Sequence, residues 1–410
     1  MQPFSSPASR RQALTVALGV LLCAAAAIAV HGMPVVDEWA HFHQVKQFLQ
    51  GHYTPIDGLT TIPGYHAVVA LVERAFDSES LGLARSVTMA FALLAVPAFS
   101  GIRRAVAPAE DPTLPTLQFL FFPLFFPFCF LVYTDVPSVA LVLWALRCSL
   151  TGHHRAAGLF GLLSLLVRQN NIVWIGFIAL LQALEIRARH PTREARLRAS
   201  RSLIPHALNA VAFAGYWVWN GSISMSRVAT EMHPDLTLHA GNLFFMLFLA
   251  GVFLSPLMVL WLPNYLRAVP SRPWLLAIPV AFGALYAVAF VVDHVANLFG
   301  MDYYLRNFIL VYVSEHRVAS VGFGVTAVAA ACALSQVRWQ RTSFALLLPV
   351  SMVFVSFLWL IEQRYYLIPL ALLLALRVLE DRRVERIMLG LWIPVALAFL
   401  YGMVTREFFL

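Results

Sequence analysis

Apolar runs recur along this chain from end to end, separated by short polar stretches rich in arginine. No other feature restricts the fold as tightly. A run of about 20 apolar residues matches the length of a membrane-crossing helix, whose backbone groups are all satisfied internally. Composition agrees: 60% of residues are hydrophobic and only 12% charged, against about a quarter charged in a soluble domain. The reading is all-α, a polytopic helical membrane protein. A net charge of +8 would suit a nucleic-acid binder. The arginines, however, sit mostly in short loops between spans, the pattern of cytoplasmic loops, so the basicity is topological and no nucleic-acid partner is expected. Of the 29 basic residues only Lys46 is lysine, a bias that fits a GC-rich bacterial genome. Cys23, Cys129, Cys148 and Cys332 fall in or beside hydrophobic runs without CxxC spacing, which points to buried apolar residues rather than disulfides or metal ligands.

The arginines set the topology. Arg10 and Arg11 precede an apolar run from Ala13 to Val30, read as a retained anchor with a cytoplasmic N-terminus. Residues 32–80 then lie outside. A span from Leu81 to Gly101 returns to Arg103 and Arg104, a Phe/Pro-rich span over 114–132 leads outward, and residues 136–150 lead back in. Arg187, Arg189, Arg193, Arg196, Arg198 and Arg201 give the strongest inner-loop signal, and these inner arginines need no explanation beyond orientation. Windows of ~20 residues give a dozen to thirteen spans, in one domain over 1–410 with 32–80 as its outer catalytic loop.

That loop begins with Val35-Val36-Asp37-Glu38-Trp39-Ala40-His41-Phe42-His43-Gln44. The stretch reads as a short helix ending at Gly51, with a second surface helix over 64–76. Helical spacing places Asp37, His41 and Gln44 on one face and Trp39, Phe42, Val45 and Leu49 on the other, so the helix should lie in the interface with its carboxylates toward water. Arg168, Arg306, Arg317 and Arg364 also fall outside, where basic residues are few. With Asp37, Glu38, Asp135, His294 and Glu362 they surround one outer vestibule. Guanidiniums for a lipid-borne phosphate and a carboxylate to take a hydroxyl proton are the chemistry this set suits. Each has a plainer reading: acids favoured at a helix N-terminus, Asp135 as a helix cap, Arg364 anchoring headgroups beside Tyr365 and Tyr366.

Four blocks, in order, resemble the dolichyl-phosphate-glucose-dependent alpha-1,2-glucosyltransferases, of the GT-C class. They are Asp37-Glu38 with His41 or His43, running on to Thr60-Thr61-Ile62-Pro63-Gly64-Tyr65; Tyr133-Thr134-Asp135-Val136; Val167-Arg168-Gln169-Asn170-Asn171-Ile172; and Glu362-Gln363-Arg364-Tyr365-Tyr366. Ile62 departs from the family's paired prolines, Asn170 from its threonine, and His294 to Asn307 follows its block only loosely. The resemblance implies a GT-C-like bundle whose first outer loop, with two interfacial helices, carries the active site. It implies transfer of a hexose from a polyprenyl-phosphate donor to a glycan or lipid-linked oligosaccharide hydroxyl, with inversion. Asp37, His41 and His43 are metal-ligand types, but their spacing is no recognised zinc pattern, so no metal or other cofactor is expected. Asp37, or alternatively Glu38, is the expected base. His41, His43, Thr60, Thr61, Tyr133, Asp135, Arg168, Gln169, Asn170, His294, Arg306, Glu362, Arg364 and Tyr365 are the expected substrate contacts. The site would face the periplasm from a bacterial inner membrane, or the lumen from an endoplasmic-reticulum membrane. The rival reading is a lipid-linked-oligosaccharide flippase or other transporter, whose key charges would lie near mid-membrane on broken helices.

Overall fold

The computed structural model describes residues 32–410, so the anchor over 13–30 and Cys23 lie outside the described residues. Those described form helices joined by short loops, with two isolated β-bridges and no strand. The chain is an integral membrane protein. Among the described residues, four helices are long and apolar enough to cross a bilayer: Leu81–Val106, Gln169–Arg189, Arg317–Leu334 and Arg382–Thr405. A bent pair, Gly241–Phe253 with Ser255–Ser271 at 103°, would make a fifth.

Of the dozen to thirteen spans read from the sequence, several are shorter or broken helices among the described residues. The expected 114–132 span shows why. A helix covers only Thr113–Leu120, and after Pro123 the chain turns into a 3-10 segment, Phe126–Phe130, with Pro127 near its start. Proline supplies no N–H and disfavours helix in the residue before it, so two prolines four apart break the run. Its phenylalanines face protein instead of lipid: Phe119, Phe125 and Phe126 are buried, and Phe119 stacks on Phe99 with centroids 4.6 Å apart. Helix Leu367–Leu376, apolar on every side, is likewise enclosed, with only Ile368 partly exposed.

Some arginines read as markers of orientation are also buried. Arg103 donates to the carbonyls of Ala375 and Arg377 and to Glu110, and Arg377 makes a two-pronged pair with Glu385, which also accepts from Gln118. This network locks the final helix to the first described span at the end of the bundle away from Asp37.

The first-loop helices, Glu38–Leu49 and Gly64–Ala75, form as expected and pack on each other. Their faces differ from the expectation. Glu38, His41, Phe42, Gln44, Val45 and Phe48 turn inward, while Trp39 is 63% exposed and Asp37 points out. The spacing argument pooled charged and polar groups on the wet face, but Glu38, His41 and Gln44 each have partners that hold them inside. Gly64 matters here: a Cβ at this position would sit 2.5 Å from the Leu166 carbonyl oxygen, so only glycine lets the second helix start against the end of helix His154–Val167.

Candidate active site

The adjacent acids face different ways. Val36 adopts φ +52°, a conformation costly for a β-branched residue, and the helix begins at Glu38. Glu38 is fully buried. It receives Arg85 Nε at 2.8 Å and Nη2 at 2.6 Å, the Val35 N–H at 2.9 Å and the Val132 N–H at 2.8 Å. Four donors fill the four lone-pair directions of a carboxylate, so none is left for a substrate proton. Asp37 is 50% exposed and held by Arg364 Nη2 at 2.8 Å.

Arg364 is the hub. It also donates to both oxygens of Glu362, from Nε at 2.9 Å and Nη2 at 2.8 Å, approaches Asp135 at 3.9 Å, and lies over the Tyr133 ring at 5.0 Å. Arg168 pairs with Asp135 at 2.8 Å and donates to the Thr134 hydroxyl at 3.0 Å. Arg306 pairs with Glu362. Burial alone would raise the Glu362 pKa, but Arg306 and Arg364 outweigh it and hold the carboxyl below its ordinary value. Three guanidiniums thus face three carboxylates, and Asp37 is the most exposed of the acids.

Two breaks in helical structure create this cluster. Arg168 is extended between helix His154–Val167 and the turn Gln169–Asn171, and Glu362 is extended before the turn Gln363–Tyr366. Side-chain amides hold each break. Gln169 donates to the carbonyls of Thr60 and Ile223 and accepts from the Ile62 N–H, which pins the first loop over the site. Asn242 accepts from the Glu362 N–H and the Tyr366 hydroxyl, and Asn297 brackets Ile361 from both sides.

The other expected contacts divide. Tyr133, Asp135, Arg168, Glu362 and Arg364 come together, and Asn170 and Tyr365 line a cavity of about 10 Å³ with Asp135, Ser138, Arg168 and Arg364, room for about one water. Thr61 is buried with its hydroxyl unpartnered, and Thr60 contributes its carbonyl. His43 instead stacks on the exposed Trp39. His294 is held by the Met232 carbonyl, at the end of helix Arg227–Met232, and by the Ala296 N–H, so both ring nitrogens are occupied. Asp135 does not cap its helix through its side chain, as the plainer reading had it; it meets Arg168.

Arg306 connects the cluster to a groove of about 560 Å³. Leu124, Phe245, Phe248, Phe253 and Trp392 give it apolar walls, and Arg306 and Gln363 stand among them as polar groups. Both side-chain atoms of buried Gln363 lack a partner. Sequence reasoning missed Arg85, Asn242 and Asn297, and named Gln363 only within the fourth block, without a role. An arginine near the start of an apolar run is a signal for Arg85; the amides carried none.

Comparison with known proteins bears most strongly on the N-terminal part of the chain. Residues 31–201 match the DIE2/ALG10 family. That stretch contains the first loop, Asp135 and Arg168. The human Dol-P-Glc:Glc(2)Man(9)GlcNAc(2)-PP-Dol alpha-1,2-glucosyltransferase is 31% identical over 166 residues, covering 36% of this chain and 35% of that protein. The protein of the same name from Candida glabrata is 28% identical over 265 residues, covering 58% of this chain and 49% of its own length. The matched regions thus span about a third to a half of these curated relatives. The crystal structure of ArnT from Cupriavidus metallidurans in the apo state aligns with 97% of this chain and 78% of its own, at a TM-score of 0.49 and 15% identity.

Proposed function

We propose that this chain is an inverting membrane glycosyltransferase that moves a hexose from a polyprenyl-phosphate donor to a hydroxyl of a lipid-linked or cell-surface glycan. The relatives' names make glucose the first choice of sugar. The observation that carries the reading is the contrast between Asp37 and Glu38: one carboxylate half-exposed and paired with Arg364, its neighbour fully committed to Arg85 and two backbone N–H groups. Asp37 takes the proton of the acceptor hydroxyl as that oxygen attacks the anomeric carbon from the face opposite the phosphate. Inversion in one displacement needs no covalent enzyme intermediate. Arg364, Arg168 and Arg306 are the groups able to receive the departing phosphate, and guanidinium forks match its geometry. In this reading they neutralise charge without a metal. The apolar groove leading from Arg306 suits a polyprenyl tail. The site faces the periplasm of a bacterial inner membrane, or the lumen if the source is eukaryotic.

Proteoliposomes containing the full chain, supplied with polyprenyl-phosphate [¹⁴C]glucose and a membrane glycolipid extract, test the reading. Label should pass into a larger glycolipid with the anomeric configuration inverted. Translocation of intact donor without transfer would favour the flippase reading instead.

A further inference from the structure

At the end of the bundle away from Asp37, three elements enclose a cavity of about 390 Å³. Helices Asp135–Leu150 and Ile172–Arg189 supply two walls, and the 3-10 turn Thr342–Leu346, with Arg341 just before it, supplies the third. The deeper lining is apolar and includes Leu146, Ile178, Leu181 and Phe344. Gln182, in the same wall, is committed inside the protein: it accepts from Ser149 Oγ at 3.3 Å and donates to Ser202 Oγ at 2.6 Å. At the rim, Arg341 Nη1 and Arg189 Nη2 meet one oxygen, Glu185 Oε1, at 3.1 Å and 2.6 Å. Two guanidiniums against one carboxylate leave a positive charge, and each guanidinium has further N–H donors beyond that contact.

The depth of the cavity and the place of its charge match one leaflet of a bilayer. From Ile178 to Arg189 the lining follows a membrane-crossing helix for about 16 Å at 1.5 Å per residue, and half of a ~30 Å hydrocarbon core is about 15 Å. Burial falls in the same direction: Ile178, Leu181 and Gln182 are buried, Leu184 and Glu185 half-buried, Ala188 and Arg189 exposed. The cavity thus runs from headgroup level into the layer of acyl chains. A free phosphate or a nucleotide would leave the apolar depth uncovered, and a neutral lipid would leave the rim charge unanswered. Basic pockets between membrane helices suit anionic headgroups.

We propose that this cavity holds an anionic phospholipid of the leaflet opposite the Asp37 site, with its phosphate between Arg189 and Arg341 and an acyl chain along Ile178 and Leu181. The lipid completes the packing between helix Ile172–Arg189 and the Thr342–Leu346 turn. This site stands apart from the Asp37 cluster and does not rest on the transferase reading.

The test uses the full chain in phosphatidylcholine vesicles carrying a trace of phosphatidylglycerol with a photoreactive diazirine in its acyl chain. After illumination, adducts mapped by peptide mass spectrometry should fall on residues 178–189 and 341–347. The same acyl label on phosphatidylcholine should give about fivefold fewer adducts there, the preference expected for one uncompensated arginine at a membrane surface. Arg189→Gln and Arg341→Gln each bring the rim to neutrality and should abolish that preference. Leu184→Trp leaves the rim charges in place but fills the cavity, so it should remove the adducts of both labels. Glycerol 3-phosphate, which has the phosphate without the acyl chain, should not compete. Equal labelling by the two lipids, an unchanged preference in both arginine variants, or adducts only elsewhere overturns the proposal. Competition by glycerol 3-phosphate overturns it as well, since the cavity would then bind a free anion.

Discussion

At the residue scale, two adjacent acids have separate surroundings because of what each can reach. Glu38 holds Arg85 and two backbone N–H groups in a buried knot that joins the first loop to helix Leu81–Val106 and to the segment before Tyr133. Glu38→Gln removes the charge facing a buried guanidinium, and breaking one side of such a pair costs about 3–5 kcal/mol. Denaturant unfolding in detergent should show a loss of that size for Glu38→Gln and almost none for Asp37→Asn; equal losses would mean the two acids share a structural role. The Asp-Glu pair itself stands out in the sequence. The contrast within it does not, since that depends on the positive φ of Val36 and on Arg85, which lies 47 positions away. Helical periodicity also misassigned His41 and Gln44, because it sorts residues by polarity and cannot see a buried partner.

At the scale of elements, the two first-loop helices and the break at Arg168 were readable because each has a local cause: proline and glycine at the helix starts, and a polar run inside an apolar one. The number of spans was not. Apolarity over 114–132 or 367–376 looks the same whether the partner is lipid or protein, and proline breaks decide only part of the outcome. The contact of Gly64 with the Leu166 carbonyl is equally invisible in one dimension. Gly64→Ala forces a backbone shift there, and overpacking of this kind costs about 1–3 kcal/mol. Hydrogen exchange should rise across Gly64–Ala75 and at Ile62, whose N–H Gln169 holds. Unchanged protection in both places would show that the helix start is not so constrained.

At the scale of the whole molecule, ion pairs at opposite ends of the bundle separate a structural lock, around Arg103 and Arg377, from a cluster open to a groove, around Arg364. The two ends should lie on opposite sides of the membrane. Cysteines placed at exposed Glu194 and Glu231, in a background without Cys23, Cys129, Cys148 and Cys332, report this through an impermeant thiol reagent on intact cells. Position 231 should label and position 194 should not; the reverse would turn the Asp37 site toward the cytoplasm. The central claim, that Asp37 is the base, has a more direct test. Asp37→Asn keeps the size of the side chain and an oxygen for Arg364 but removes the basicity. Turnover of polyprenyl-phosphate glucose by the purified variant should fall by a factor of about 10²–10⁴, the usual contribution of a general base, with donor binding nearly unchanged. Wild-type turnover in Asp37→Asn would contradict the account.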